Sequence, residues 1–207
     1  KVVTGEQTIT ITDDDEQSQE YKINLGKNLF DLGASLTDYF CTSNNGATIT
    51  NEQISDKVTA TFSDNSVTFS DYNTSGWRWA SKWVKLKKNT NYILSAATHP
   101  NVISVYGFSS QATSTVGTRI ANFNSSWDTV AFNSGDYNYY AISIYPQDAE
   151  FKNIQVEVGS TATDYVPYKE PIELCKIGDY QDYIYKDGDD WYVHKETNKK
   201  VITSSEV

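Results

Sequence analysis

Residues 77–86 read Trp77-Arg78-Trp79-Ala80-Ser81-Lys82-Trp83-Val84-Lys85-Leu86. Successive side chains of an extended strand point to opposite faces. One face therefore carries Trp77, Trp79, Ser81, Trp83 and Lys85, and the other carries Ala80, Val84 and Leu86 with Arg78 and Lys82. Because Val84 and Leu86 are natural core residues, the pattern predicts a strand with three exposed indoles opposite the core. A β-bulge near Ala80-Ser81 would instead turn Trp77 and Trp79 into the core.

The surrounding region, from Lys27 to Tyr168, contains further short segments rich in β-branched and aromatic residues. The predicted strands are Val58–Phe62, Ser66–Ser70, Asn91–Ala97, Val102–Phe108, Thr118–Phe123, Thr129–Phe132, Tyr137–Tyr145 and Phe151–Val158. Turn-forming pairs such as Asp64-Asn65 and Ser134-Gly135 separate them. Only 50–55 fits a single helical turn. The pattern predicts an all-β fold, an antiparallel β-sandwich (jelly roll), for residues 27–168, called the body below.

Both ends of the chain read as β-hairpins that flank the body. In residues 1–26, two alternating segments, Gln7–Thr12 and Gln19–Leu25, enclose the acidic stretch Asp13–Glu16. Near the other end, a linker from Pro167 to Pro171 leads into residues 169–207, where strands 180–186 and 191–195 are joined by an Asp-Gly turn. Because isolated hairpins are marginally stable in water, we expect the two hairpins to pair with each other.

The composition excludes several classes of protein. The 17 basic and 27 acidic side chains give a net charge of −10, and with only Arg78 and Arg119 as arginines a cationic nucleic-acid face is not expected. No apolar run approaches the roughly 20 residues that span a bilayer, so membrane insertion is not expected. Ser, Thr and Asn supply 59 of the 207 residues, which favours strands and polar turns over helices. The chain has no Met, and we expect it to be a piece of a longer polypeptide.

The residues that commonly bind metals are few. Cys41 and Cys175 match no zinc or redox spacing, and we expect two free thiols. His99 and His194 are the only histidines, too few for a His-rich metal centre or a serine–histidine site. The acidic stretch 13–16 lacks the Gly and distal Glu of a calcium-binding EF-hand loop, so a solvated turn is predicted. No cofactor is predicted, and a structural calcium is left open and unassigned.

Several stretches resemble one family, the carbohydrate-binding jelly-roll modules of tail-tip proteins (distal tail and tail-associated proteins) from phages of Gram-positive bacteria. The matching stretches are Gly26-Lys27-Asn28-Leu29-Phe30-Asp31, Asn91-Tyr92-Ile93-Leu94-Ser95, the closing segment 152–168, which reads KNIQVEVGSTATDYVPY, and residues 177–184 and 191–195 of the C-terminal hairpin. They bracket most of the chain, and the closing segment is the most specific of them.

The resemblance implies non-catalytic binding of a host cell-wall polysaccharide, which serves phage adsorption at the tail tip of the virion. It also implies that residues 1–26 and 169–207 belong to the parent tail protein and that other phage tail proteins are partners. Because the closing segment is shared whatever sugar is bound, Asn153, Gln155 and Glu157 are expected to be structural.

The candidate carbohydrate-binding residues follow from the supply of aromatic rings. The C–H face of a pyranose stacks on an aromatic ring while polar neighbours bind its hydroxyl groups. We predict a groove formed by some of the aromatic residues Trp77, Trp79, Trp83, Tyr106, Trp127 and Tyr139, with Arg119, Asn122 and Asp128 as hydroxyl partners. No catalytic residue is predicted.

Two other functions remain open at this point. A purely structural or oligomerisation module of a tail protein would use the same strands, with the tryptophans in its core. A glycoside hydrolase needs only two carboxylates about 5–10 Å apart, and the candidates are Asp71, Asp128, Asp136, Asp148, Glu150 and Glu157. The lysines at 82, 85, 87 and 88 are interpreted as a solvated strand end, with an anionic wall polymer as the alternative.

Overall fold

A computed structural model shows two compact units. The structure describes residues 2–4, 7–10, 18–23, 27–73, 77–169, 171–174, 176–177, 180–188 and 190–196. One unit is the body, Lys27–Tyr168, and the other, called the terminal unit, combines Lys1–Gly26 with Lys169–Val207. Cys175 and the acidic stretch 13–16 lie outside the described residues.

The described residues form twenty strands and two short 3₁₀ helices, at Leu36–Asp38 and Ile54–Asp56. The first ten strands are β1 (Val2–Thr4), β2 (Gln7–Thr10), β3 (Ser18–Ile23), β4 (Phe40–Ser43), β5 (Thr48–Ile49), β6 (Thr59–Ser63), β7 (Ser66–Ser70), β8 (Trp79–Val84), β9 (Asn91–Ser95) and β10 (Ile103–Phe108). The others are β11 (Thr118–Phe123), β12 (Thr129–Asn133), β13 (Tyr139–Ile144), β14 (Glu150–Lys152), β15 (Gln155–Val158), β16 (Pro171–Glu173), β17 (Lys176–Ile177), β18 (Tyr180–Gln181), β19 (Tyr183–Asp187) and β20 (Asp190–Glu196). No helix in these ranges is long and apolar enough to cross a membrane.

The body is built from two layers of antiparallel strands. One layer is a six-stranded sheet in the order β11-β10-β13-β8-β4-β5. The other consists of two three-stranded sheets, β12-β9-β15 and β14-β7-β6, which are connected by a bridge between Thr98 and Lys152. The prediction of an all-β, antiparallel sandwich is confirmed.

The main hydrophobic core fills the space between these layers. The six-stranded sheet contributes residues such as Ala80, Ile142 and Phe123, and the facing sheets contribute residues such as Phe69, Leu94 and Phe151. Because each strand gives alternate residues to this core, the opposite face of the six-stranded sheet is left to a second set of side chains. Ala80 and Val84 of β8 point into the main core, as the alternation of residues 77–86 predicts.

The second face of the six-stranded sheet is also covered. The sheet curls until β5 at one edge meets residues 114–117, the segment that leads into β11 at the other edge. Backbone bonds close this junction, from Ile49 N–H to Thr115 O (3.1 Å) and from Gly117 N–H to Ala47 O (2.7 Å). A smaller apolar cluster of Ile49, Tyr106, Phe108 and Ala141, with Phe40, Ala47 and Trp83 packed against it, fills this side.

Most predicted strands match the structure within two residues at each end, and Ser66–Ser70 and Thr118–Phe123 match at both ends. The prediction of one strand over Phe151–Val158 is wrong, because Asn153 adopts a left-handed backbone (φ 55°) that separates β14 from β15. The polar strand β4 and the two-residue β5 were not predicted. A single helical turn is predicted at 50–55, and the structure has a 3₁₀ turn at Ile54–Asp56, which overlaps that range only at its end.

A buried polar seam holds the start of the body against its end. The Asn28 side chain accepts hydrogen bonds from the Phe30 and Val156 backbone N–H groups (3.0 and 3.1 Å) and donates to the Ile154 carbonyl (3.2 Å). Leu29 N–H also donates to the Val156 carbonyl (2.7 Å). The two ends of the 27–168 segment are therefore fixed side by side.

The closing segment continues this seam through two buried side chains, those of Gln155 and Glu157. Glu157 accepts hydrogen bonds from the backbone N–H and the hydroxyl of Thr163 (2.8 and 2.7 Å) and from the Gln155 amide (2.9 Å). Gln155 in turn accepts from Val166 N–H (2.8 Å), and Lys27 bonds to the Thr163 hydroxyl. The prediction that Gln155 and Glu157 are structural is confirmed.

In the terminal unit the two hairpins form one sheet, in the order β19-β20-β3-β2. Antiparallel pairing runs from Trp191 opposite Ile23 to Glu196 opposite Ser18. The prediction that residues 7–25 and 180–195 pair is therefore confirmed. β1 pairs with β16, and His194 stacks on Tyr183 with ring centroids 4.6 Å apart.

The Glu157 seam predicts a specific response to acid. Burial opposes ionisation of this carboxyl, but the bonds from Thr163 and Gln155 outweigh it and lower its pKa below the ordinary 4.5. Its stabilising contribution is therefore present above pH 4.5 and is lost as the pH falls through the lowered pKa of the folded state. In urea unfolding at a series of pH values, Glu157→Gln should be less stable at pH 7 and lose less stability on acidification.

The matched control is Glu150→Gln, which neutralises an exposed carboxylate on β14. It should keep the acid dependence of the unmodified protein. An equal acid response in the Glu157→Gln protein and the unmodified protein would contradict the role of the seam.

Candidate functional site

The second face of the six-stranded sheet carries most of the predicted site residues. Strand pairing aligns Trp83, Ala141, Tyr106 and Arg119 in one row across β8, β13, β10 and β11. The next row consists of Phe40, Ser81, Ser143, Ser104 and Asn122. No bulge interrupts β8, so its residues point to the two faces of the sheet in the order that the alternation predicts.

Two of the predicted platform residues, however, are buried. Trp79 is 5% exposed and Tyr106 is 2% exposed, so neither ring presents a face to a ligand. The prediction of three exposed indoles along β8 is therefore wrong at Trp79, and Tyr106 cannot line an open groove.

The turn between β4 and β5 covers Tyr106, whereas the Trp79 ring packs against Tyr145 with centroids 5.3 Å apart. The Tyr106 hydroxyl donates to the Asn45 carbonyl (2.7 Å), and Gly46, with φ 93°, lies so close that an added Cβ would stand 2.7 Å from Ser143 Cβ. Beneath this turn the hydroxyls of Thr42, Ser81 and Ser143 form a chain with spacings of 2.7 Å. These three buried hydroxyls thus have partners within the protein itself.

An open cleft remains where β8 and β13 leave the covered region. Its volume is about 410 Å³, and its lining includes Trp83, Lys85, Leu86, Gln111, Asn138 and Tyr139. Tyr139 is 39% exposed, and its ring lies 6.1 Å from that of Trp83, centroid to centroid. This is the place where two predicted site residues meet.

The aromatic floor of the cleft packs against other aromatic rings. The Trp83 indole stacks on Phe40 with centroids 4.4 Å apart and planes at 18°, and meets the edge of Phe108 at 5.5 Å. These contacts leave Trp83 half-buried. Stacked and edge-to-face contacts are favourable ring geometries, so the Trp83 indole is supported by two neighbouring rings.

Polar groups from three segments stand around this floor. Lys85 follows β8, Gln111 lies between β10 and β11, and Asn138 precedes β13; all three are exposed. Asn138 is fixed, since its amide donates to the Ser109 carbonyl (3.1 Å) and its oxygen accepts from Lys88 (3.2 Å). The site thus combines flat apolar faces with hydrogen-bonding groups.

The other predicted aromatic residues lie elsewhere on the body. Trp77 is 64% exposed, has a left-handed backbone (φ 49°) and stacks on Tyr145 at 5.9 Å, beyond the start of β8. Trp127 is also 64% exposed, in the connection between β11 and β12. A single groove that uses all six aromatic residues is not formed.

The three predicted polar partners are exposed on β11 and the connection that follows it. Arg119 is aligned with Tyr106 and Asn122 with Ser104, and neither lines the cleft at Trp83. Asp128 lies 3.5 Å from the buried His99 ring nitrogen Nε2. Burial raises the pKa of Tyr106, and the Arg119 charge partly offsets this effect.

The candidate acids do not gather at the cleft. Glu157 belongs to the seam, Asp136 pairs with Lys88 (2.7 Å), and Asp148 accepts from Tyr72 N–H (3.4 Å). No Asp or Glu occurs among the described residues that line the cleft. Within the described ranges, no group of three or more His, Cys, Asp or Glu side chains is placed to hold a metal ion, and Cys41 is a buried free thiol.

No family model matches this chain, and comparison with curated proteins and with solved structures finds no match either. The cleft is therefore characterised by its geometry and chemistry. Gln111 and Asn138 were not predicted as site residues, because they lie in turns that only the folded chain brings beside Trp83. The sequence does indicate Lys85, since it is predicted on the same side of the strand 77–86 as Trp83.

The burial of Trp79 generates a stability prediction. Trp79→Ala should lower the free energy of unfolding by about 3–5 kcal/mol, because it removes a large buried side chain and leaves a cavity. Trp77→Ala, which truncates an exposed indole, should change it by less than about 1 kcal/mol. Urea unfolding of both variants measures the difference, and equal, small effects would show that Trp79 is not a core residue.

Proposed function

We propose that the body is a non-catalytic module that binds a cell-wall polysaccharide of a Gram-positive host, as part of the adhesion device at a phage tail tip. Two lines support this proposal. One is the resemblance of residues 26–31, 91–95 and 152–168 to carbohydrate-binding modules of tail proteins. The other is the open cleft with two aromatic rings and three polar side chains.

The single observation that carries the proposal is the pair formed by Trp83 and Tyr139. A sugar ring offers an apolar C–H face and an equatorial belt of hydroxyls, so it is bound by an aromatic face with hydrogen-bonding groups at its margin. Tyr139 offers such a face, while Gln111 and Asn138 stand at the margin. A volume of about 410 Å³ falls within the range of about 300–1,000 Å³ typical of small-molecule sites.

The lining chemistry favours binding over hydrolysis. Glycoside hydrolysis uses an acid and a second carboxylate on either side of the scissile bond. The described lining of the cleft offers lysine and amide side chains instead. We therefore propose that the module holds its saccharide without cleaving it.

We propose that the terminal unit belongs to the parent tail protein and assembles with other tail proteins in the virion. The observation that favours assembly is an aromatic row on β19 and β20: Tyr185 stacks on Tyr192 at 5.4 Å, and Tyr183 is 47% exposed beside His194. Exposed aromatic residues on a sheet are typical of protein interfaces.

Removal of one ring tests the binding proposal. A fluorescent fusion of the full chain should label walls of a susceptible strain from a Gram-positive panel. Tyr139→Ala should reduce this labelling about tenfold, since the lost stacking amounts to roughly 1 kcal/mol or more at each site. Its melting temperature should change little, because Tyr139 is partly exposed.

Trp127→Ala is the matched control, an equally drastic truncation of an exposed ring outside the cleft. It should label walls as the unmodified protein does. Undiminished labelling by Tyr139→Ala, or a loss shared equally by Trp127→Ala, would remove the cleft from the binding site.

A separate assay tests the absence of catalysis. Incubation of the protein with purified wall polysaccharide from a labelled strain should release no reducing ends. Release that disappears when one of the six candidate carboxylates is changed would establish a hydrolase instead.

A further inference from the structure

The charge around the cleft is opposite in sign to that of the whole chain. Its lining contains one lysine, Lys85, and no acidic residue; Lys87, Lys88 and the acidic Asp136 lie within two positions of the lining residues along the chain. The complete chain carries a net charge of −10. A local excess of positive charge on an acidic protein marks a place suited to an anion.

The three lysines differ in what they contact. Lys88 already has partners within the protein, because its ammonium bonds to Asp136 (2.7 Å) and Asn138 (3.2 Å). Lys85 lines the cleft, is exposed, and forms no ion pair with any residue that the structure describes. Lys87 is exposed two positions further along the same segment.

The fourth lysine of this sequence cluster belongs to another part of the molecule. Lys82 points to the main-core face of β8, where it pairs with Asp31 (2.8 Å) and lies 5.8 Å from the centre of the Tyr39 ring. The structure therefore divides the run of lysines: Lys82 and Lys88 are already paired, and Lys85 is the one directed at the cleft.

We infer that the cleft selects an anionic saccharide, with Lys85 binding a phosphate or carboxylate group while Tyr139 stacks on the neighbouring ring. This inference rests on the proposed function and names the chemical class of its ligand. Lys85 lies two positions after Trp83 and lines the same cleft as the aromatic floor. A lysine there supplies a point charge with three donors, which suits either kind of anion.

Salt dependence is the first expected signature. The Debye length shortens from about 10 Å at 0.1 M salt to about 3 Å at 1 M, so an exposed ammonium attracts an anion much less strongly at high salt. Binding through Tyr139 and amide groups alone would change little over that range. Labelling of a susceptible wall should therefore fall several-fold between 0.1 and 1 M NaCl.

Charge removal at one position is the decisive test. The full-chain fluorescent fusion is titrated onto purified walls of the strain that it labels best. Lys85→Gln should weaken binding about tenfold, the effect of losing one charge-assisted hydrogen bond. Lys85→Arg should retain most of the binding. Lys152→Gln, which removes the same charge from an exposed position on β14, is the matched control and should bind as the unmodified protein does.

Soluble polymers then identify the source of the anion. The probes are a poly(glycerol phosphate), which carries phosphodiesters, polygalacturonate, which carries carboxylates, and neutral dextran, each used to compete for wall binding. Competition by either anionic polymer, lost in Lys85→Gln, supports the inference and assigns the anion to phosphate or carboxylate.

The outcomes separate this inference from the proposed function. Walls that are labelled equally by Lys85→Gln and Lys152→Gln, with labelling insensitive to salt, would overturn the anionic ligand and leave polysaccharide binding intact. A protein that labels no wall in the panel would overturn the proposed function itself, and the anionic ligand with it.

Discussion

The hydrogen bonds between β5 and residues 114–117 are the constraint on which the functional surface depends. They bring the two edges of the six-stranded sheet together and hold the β4–β5 turn over its second face, where Tyr106 and Ser143 both contact that turn. A sheet that is buried on both faces leaves little room for a ligand. The open part is the end near Trp83 and Tyr139, and the candidate site is therefore located by the closure of the sheet.

A second constraint explains how such a body is held within a longer chain. Asn28 binds backbone groups of Phe30, Ile154 and Val156, and Glu157 binds Thr163, so the entry and exit of the segment 27–168 lie together. Each of these buried polar groups has partners, and a buried polar group without one would cost about 1–3 kcal/mol. The seam thus specifies a single arrangement of the ends, which suits a module carried between two halves of another unit.

Much of the fold could be predicted from the sequence because strand period and turn residues are local properties. Residues 77–86 alternate as expected, with Ala80 and Val84 in the main core, and the strand limits of 66–70 and 118–123 follow from their flanking turns.

The period of a strand shows which residues share a face, but not whether that face is covered. Tyr106 is expected at a ligand surface and is buried because a distant turn, with Gly46 in a left-handed conformation, lies over it; Trp79 is buried beside the Tyr145 ring. Gln111 and Asn138 reach the cleft from separate loops, a juxtaposition that only the folded chain creates.

The central claim is that wall polysaccharide binds the body at the cleft between Trp83 and Tyr139. It is tested most directly by backbone-amide chemical-shift mapping on the isotope-labelled full chain, titrated with solubilised wall polysaccharide of a strain that the protein labels. The account predicts saturable shifts concentrated in residues 83–88, 109–112 and 136–140. Shifts centred instead on Trp127 and β11, or on the aromatic row of β19 and β20, would contradict it.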